Sequence, residues 1–128
     1  MRIKLFSICE GAFNNAGRLT IVNTYDMIGS KVFPLKMPIG VAMTIIFDAK
    51  DEGKRHLELK ITNATTQLPI AKMDSEFVVP KDDKGGYLNF VSNVQGFVFP
   101  TPGDYSFELF IDGNVIGSVL LPVKKDEK

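Results

Sequence analysis

Between Tyr105 and Ile111 the chain alternates strictly: Tyr105, Phe107, Leu109 and Ile111 share one parity, with Ser106, Glu108 and Phe110 on the other. Side chains of an extended backbone point to opposite faces in turn, so a period of two marks a strand with one buried side. Asp112-Gly113 follows as the strongest short hairpin signal, and residues 115–123 return as the partner strand. Upstream, Pro100, Pro102 and Gly103 stop one segment and turn the chain. Tyr105 then stands just past a Pro-Gly corner, where a β-sandwich places its corner tyrosine.

The same alternation recurs along the chain. Leu57, Leu59 and Ile61 against His56, Glu58, Lys60 and Thr62 predict a strand over 56–63 with one dry and one wet face. Residues 41–47 are the most apolar: Val41, Met43, Ile45 and Phe47 make one face, while Ala42, Thr44 and Ile46 make another that is not strongly polar. Further strands are predicted over 3–10, 18–25, 68–79 and 87–94. Pro69 and Lys72 suit an edge strand, where a missing ladder donor is tolerated and a charge blocks unwanted pairing. Pro34 and Pro38 argue against a central strand or a helix interior over 27–38. That segment is expected to be a loop lying over one end of the sandwich, with Phe33 as a plug. Residues 48–54 and 81–86 read as charged turns.

No segment sustains a 3.6-residue apolar period over two or more turns. The fold class expected is therefore all-β: a two-layer antiparallel β-sandwich, immunoglobulin-like, of about eight strands, with a closed barrel as the rival. Residues 1–123 are expected to form one domain, with 124–128 a charged tail that frays.

Composition narrows the function. Fifteen basic side chains cancel fifteen acidic ones, so no overall field recruits nucleic acid or an anionic membrane. The run Leu5-Phe6-Ser7-Ile8-Cys9 is too short for a signal peptide and ends at Glu10. No stretch approaches the ~20 apolar residues of a membrane span. A cytoplasmic protein is expected, which leaves the sequon Asn63-Ala64-Thr65 a string match.

Chemistry is sparse. One histidine and one cysteine cannot supply a zinc cluster. The acids of the turns, Asp48, Asp51, Glu52, Asp82 and Asp83, are interleaved with lysines and follow no calcium-loop pattern. Nucleophilic catalysis would pair Cys9 or a serine with His56. Yet His56 falls on the outer parity of its strand, and Cys9 sits where a small hydrophobe packs. No catalytic, cofactor-binding or metal residues are predicted, and no enzyme activity or cofactor.

A resemblance enters at Cys9-Glu10-Gly11-Ala12, Gly17-Arg18-Leu19-Thr20-Ile21, Asp26 and Phe33-Pro34, joined by the Pro102-Gly103-Asp104-Tyr105 corner and Asp112-Gly113. Together these resemble a family of small uncharacterised bacterial all-β proteins, a domain of unknown function, over nearly the whole chain. The resemblance implies fold and carries no site residues. The chain departs from antibody-type domains in lacking tryptophan and in holding Phe107, where those domains have a cysteine two residues after the corner tyrosine.

One irregularity points to function. With Tyr105 to Ile111 facing in, Phe110 faces out, and Ile116 and Leu120 join it if Val115, Val119 and Leu121 face in. An apolar cluster of Phe110, Ile116 and Leu120 would mark a protein-contact face. The function expected is a non-catalytic interaction or structural module, binding a protein partner or a second copy. The alternative is a small-ligand or carbohydrate-binding module using loops 27–38 and 48–54 at one end of the sandwich.

Overall fold

The computed structural model describes residues 1–126. Nine strands follow in order: β1 (Arg2–Asn15), β2 (Arg18–Thr24), β3 (Ile28–Ser30), β4 (Leu35–Phe47), β5 (Gly53–Asn63), β6 (Leu68–Val79), β7 (Gly86–Phe99), β8 (Gly103–Ile111) and β9 (Asn114–Lys125). They form a four-stranded sheet ordered β2-β1-β4-β7 and a five-stranded sheet ordered β3-β9-β8-β5-β6. The chain crosses between sheets from β2 to β3 and back to β4, then from β4 to β5, β6 to β7 and β7 to β8. This is the immunoglobulin route, with β1, β4 and β7 facing β5, β8 and β9.

The alternation read from sequence builds the core. Leu57, Leu59, Ile61, Tyr105, Phe107, Leu109, Ile111, Leu121 and Val123 face Ile39, Val41, Met43 and Ile45, all buried. Burying each such side chain contributes about 1.5–3 kcal/mol. Phe99 stacks edge-on against Tyr105 with ring centroids 4.8 Å apart, and the Tyr105 hydroxyl donates to the Thr101 carbonyl at 2.6 Å. That bond closes the corner as expected. At the next hairpin Asp112 and Gly113 both take positive φ, 50° and 82°, the conformation a tight right-twisting turn requires.

Several expected boundaries give way. The segment 27–38 is more than a loop, because Ile28–Ser30 pairs in parallel with Val123, Lys124 and Lys125 of β9. That pairing makes nine strands where about eight were expected, and it orders Lys124 and Lys125, which were expected to fray. Residues 127 and 128 lie outside the described residues. Leu35 to Pro38 belong to β4, a central strand after all. Proline is tolerated there because the register slips between Met37 and Ile39, where two residues of β7 oppose Pro38 alone. Phe33 does pack against the core.

β1 also runs further than residues 3–10. Beyond Cys9 it leaves β4, and the β1–β2 hairpin folds back over the outer face of its own sheet. Asn89 on β7 donates to the Gly17 carbonyl at the hairpin tip at 2.9 Å. Asn93 reaches across Gly40 to Ala12, accepting its N–H at 2.9 Å and donating to its carbonyl at 2.8 Å. Beneath the hairpin Cys9, Ala12 and Ala42 form a second small core with Leu5, Leu19, Ile21 and Val91. A covered outer face is why β4 is apolar on both sides.

Candidate contact surfaces

The outer face of the five-stranded sheet carries the expected contact residues, and the structure divides them. Phe110 faces out, half-buried, and lies opposite Val115. Leu120 also faces out and is 54% exposed. Ile116 does not join them. The register slips between Leu109 and Phe110, so Leu109 opposes Gly117 while Phe110 opposes Val115. The extra residue, Ile116, packs against the core instead. Val115 takes its place on the outer face at 57% exposure. Such a slip reverses the faces of the residues on one side of it, and no alternation pattern announces it.

Around this strip stand charges of both signs. The Lys60 ammonium sits 4.8 Å from the centre of the Phe110 ring and 3.3 Å from Glu58. Lys72 lies 3.4 Å from Glu58 and 3.8 Å from Asp74, and His56 Nε2 lies 2.9 Å from Asp74. Exposed pairs of this kind add little stability singly but fix where charge lies on the face. An open groove of ≈ 410 Å³, lined by Lys60, Thr62, Pro69, Ile70 and Lys72 among others, runs beside them.

Sequence reasoning missed one grouping. His56, Glu58 and Asp74 each offer a ligand atom within 4.8 Å of the others, a set that could hold a divalent cation. The signal was present in His56 and Glu58 two residues apart on one strand face, but Asp74 arrives only through the β5–β6 pairing. The ammonium groups of Lys60 and Lys72 already neutralise these carboxylates, so a metal would have to displace Lys72.

The remaining candidates lie apart. Cys9 is fully buried in the four-stranded sheet, its thiol 3.3 Å from the Gly11 carbonyl, and burial pushes its pKa up. His56 stands on the outer face of the opposite sheet, so the two never meet. Asn63 is also fully buried. Its amide donates toward Thr101 Oγ1 at 3.3 Å and the Pro102 carbonyl at 3.4 Å, and it accepts the Thr65 and Thr66 N–H groups. It locks the β5–β6 turn to the β7–β8 corner, and a Cβ at Gly103 would strike it. Glycosylation needs an exposed amide, so the sequon is structural.

Loops 27–38 and 48–54 were expected to share one end of the sandwich; they occupy opposite ends. Leu35 pairs with Phe99 at one end of β4 and Phe47 with Gly86 at the other. Thirteen residues of strand hold the ends about 40 Å apart. At the second end Asp51 accepts the Asp48 N–H at 2.8 Å, while Asp112 accepts the His56 N–H at 2.9 Å and Arg55 Nη1 at 3.0 Å. Both carboxyls are held below their ordinary pKa, chiefly by those backbone hydrogen bonds.

One more surface is an edge. β2, β7, β3 and β6 bound the two sheets. β6 is guarded by Pro69, Lys72, Asp74 and Glu76, whereas the fourteen residues of β7 include no charge and no proline. Beside β7 the gap between the sheets holds a slot of ≈ 260 Å³ lined by Met43, Leu57, Leu59, Met73 and Phe90, with Asp74, Ser75, Val91 and Ser92 at its rim. Both facts about β7's composition could be read in the sequence.

These surfaces belong to an immunoglobulin-like β-sandwich, closed at a corner tyrosine and open at one side. The chain belongs to the DUF6941 family, a family of unknown function, which it matches over residues 4–124. No curated protein matches it in sequence. Among solved structures, the C-terminal domain of wzt superposes with a TM-score of 0.60 at 14% identity, over 98% of this chain and 74% of that one. The Pseudomonas fluorescens alkylpurine DNA glycosylase AlkC, bound to DNA containing an abasic site analog, superposes with a TM-score of 0.51 at 12% identity. That match covers 93% of this chain, which spans only 30% of the glycosylase. An immunoglobulin-like protein from Pseudomonas aeruginosa, PA1606, gives a TM-score of 0.45 at 15% identity over 95% of this chain and 94% of that one. At such identities the first two likenesses are of fold alone. Among the described residues no helix is long and apolar enough to cross a membrane.

Proposed function

We propose that the chain is a non-catalytic protein-contact module that self-associates through the outer face of its five-stranded sheet. The observation that carries this reading is the apolar strip of Phe110, Val115 and Leu120, the last two 57% and 54% exposed. Glu108 and Ser118 interrupt the strip, and Glu58, Lys60, Lys72 and Asp74 border it. An apolar centre with a polar rim is the common anatomy of an interface. A border holding both signs lets a second copy, related by a two-fold axis, set opposite charges against each other. Protein is the partner proposed, since a chain with 15 basic and 15 acidic residues has no net pull on nucleic acid or anionic lipid. A cytoplasmic setting accords with a single cysteine that has no partner for an internal disulfide.

Size-exclusion chromatography with light scattering tests the proposal on wild type, Phe110→Asp and Leu120→Asp. The wild type is expected to run as a dimer at about 100 µM and the variants as monomers. Leu120 is exposed, so Leu120→Asp should melt at the temperature that wild type shows when diluted to monomer, and below the wild-type dimer. A wild type that stays monomeric, or a Leu120→Asp dimer, removes the reading.

A further inference from the structure

We propose that β7 receives an extended segment of another polypeptide as an added strand, anchored by an apolar side chain in the slot beside it. This goes beyond self-association and uses a different surface. β7 pairs with β4 on one side only, so on the other side alternate backbone N–H and C=O groups are free to form a ladder. Constant immunoglobulin domains hold a further strand at this position. Here β6 stands in the opposite sheet, so the β7 backbone edge is unpaired, while β6 reaches β7 only by side chains, Phe77 edge-on to Phe90 at 5.0 Å and Met73 Sδ accepting from Ser92 Oγ at 3.4 Å.

Proteins usually guard such an edge. β6 carries Lys72, Asp74 and Glu76, β2 is seven residues long with Arg18 at its start, and β3 is only three residues long. β7 has a single guard, the bulge opposite Pro38, which leaves residues 87–94 regular, Tyr-Leu-Asn-Phe-Val-Ser-Asn-Val, with no charge to repel an incoming strand. Strand addition draws affinity from the main chain and specificity from alternate side chains. A strand laid along β7 stands about 4.8 Å further out, with every second side chain aimed into the gap between the sheets. The slot lined by Met43, Leu57, Leu59, Met73 and Phe90 opens there.

The slot also decides the occupant. A second copy could offer its own β7, but the inward side chains of that strand, Leu88, Phe90 and Val94, already lie against its own β4. Only a segment with no sheet of its own has inward side chains to spare. Its chemistry is an uncharged extended stretch with apolar residues at every second position.

Hydrogen–deuterium exchange of the full chain tests this with short peptides alternating threonine with alanine, valine, leucine or phenylalanine. Leucine or phenylalanine peptides should slow exchange in residues 87–94 by about tenfold or more, and the alanine peptide far less. Ser92→Leu, which fills the slot from β7 itself, should abolish the difference while exchange in β5 and β8 is unchanged. Failure of every peptide overturns the proposal, as does equal protection by the alanine peptide. Protection that rises with protein concentration alone would seat a second copy on the edge and overturn it too. None of these outcomes bears on the Phe110 face, which Leu120→Asp reads separately.

Discussion

Tyr105 and Asn63 hold the same corner from two sides, and each is fully buried. Tyr105→Phe removes only the 2.6 Å bond to Thr101 and should cost about 1–2 kcal/mol in urea unfolding. Asn63→Ala removes a fully buried side chain together with its bonds to two turn N–H groups and a corner carbonyl, and should cost about 2–4 kcal/mol, roughly one for each bond lost. If Asn63→Ala proved the milder of the two, the lock between turn and corner would be wrong. Cys9 offers a reactivity test. Buried, and with its pKa raised by that burial, it should resist iodoacetamide in the native chain and react once the chain unfolds.

Asp51 and Asp112 set a pH dependence. Their folded pKa values lie below the ordinary carboxylate value, so the stability they contribute is complete above about pH 4 and is lost as pH falls through the depressed values. Asp112→Asn should narrow the gap in urea midpoint between neutral and acid pH, by lowering the neutral value. An unchanged gap would mean that Asp112 gains nothing from the His56 N–H and Arg55.

At the scale of elements, the strand carrying Tyr105 to Ile111 could be read in full because one face is wet and one dry, and register then has a single answer. β4 resisted the same reading. Its outer residues Ala42 and Thr44 are buried by a hairpin that folds across from β1, a tertiary event that local pattern does not encode. β3 escaped for another reason: three residues are too few to show a period, and parallel pairing with β9 supplies their bonds. Prolines misled in proportion to the weight given them, since a bulge admits Pro38 into a central strand. The β1–β2 turn carries a correctable fault. Ala16 holds φ 51°, a conformation costly for a residue with a Cβ and favourable for asparagine. Ala16→Asn should raise stability by about 0.5–1 kcal/mol in thermal or urea unfolding. A loss of stability would show that the turn is held by more than its own backbone.

For the whole molecule, what sequence could supply was an architecture and a suspect face; what it could not supply was which residues share that face. Phe110 and Leu120 were placed correctly by alternation, Ile116 incorrectly because of a slip of one residue, and Asp74 reached His56 only through pairing between strands. Both proposed interaction surfaces rest on the same physical ground. A sandwich of two sheets must leave faces and edges unpaired, and here the apolar outer strip and the uncharged β7 stand out from the guarded remainder. The self-association claim can be read residue by residue from backbone amide chemical shifts recorded as the wild-type chain is diluted. The account predicts concentration-dependent shifts clustered at Ser106, Phe110, Val115, Leu120 and their neighbours on β5, with the β1–β2 hairpin still. Shifts that do not move on dilution, or that move elsewhere and spare β8 and β9, would contradict it.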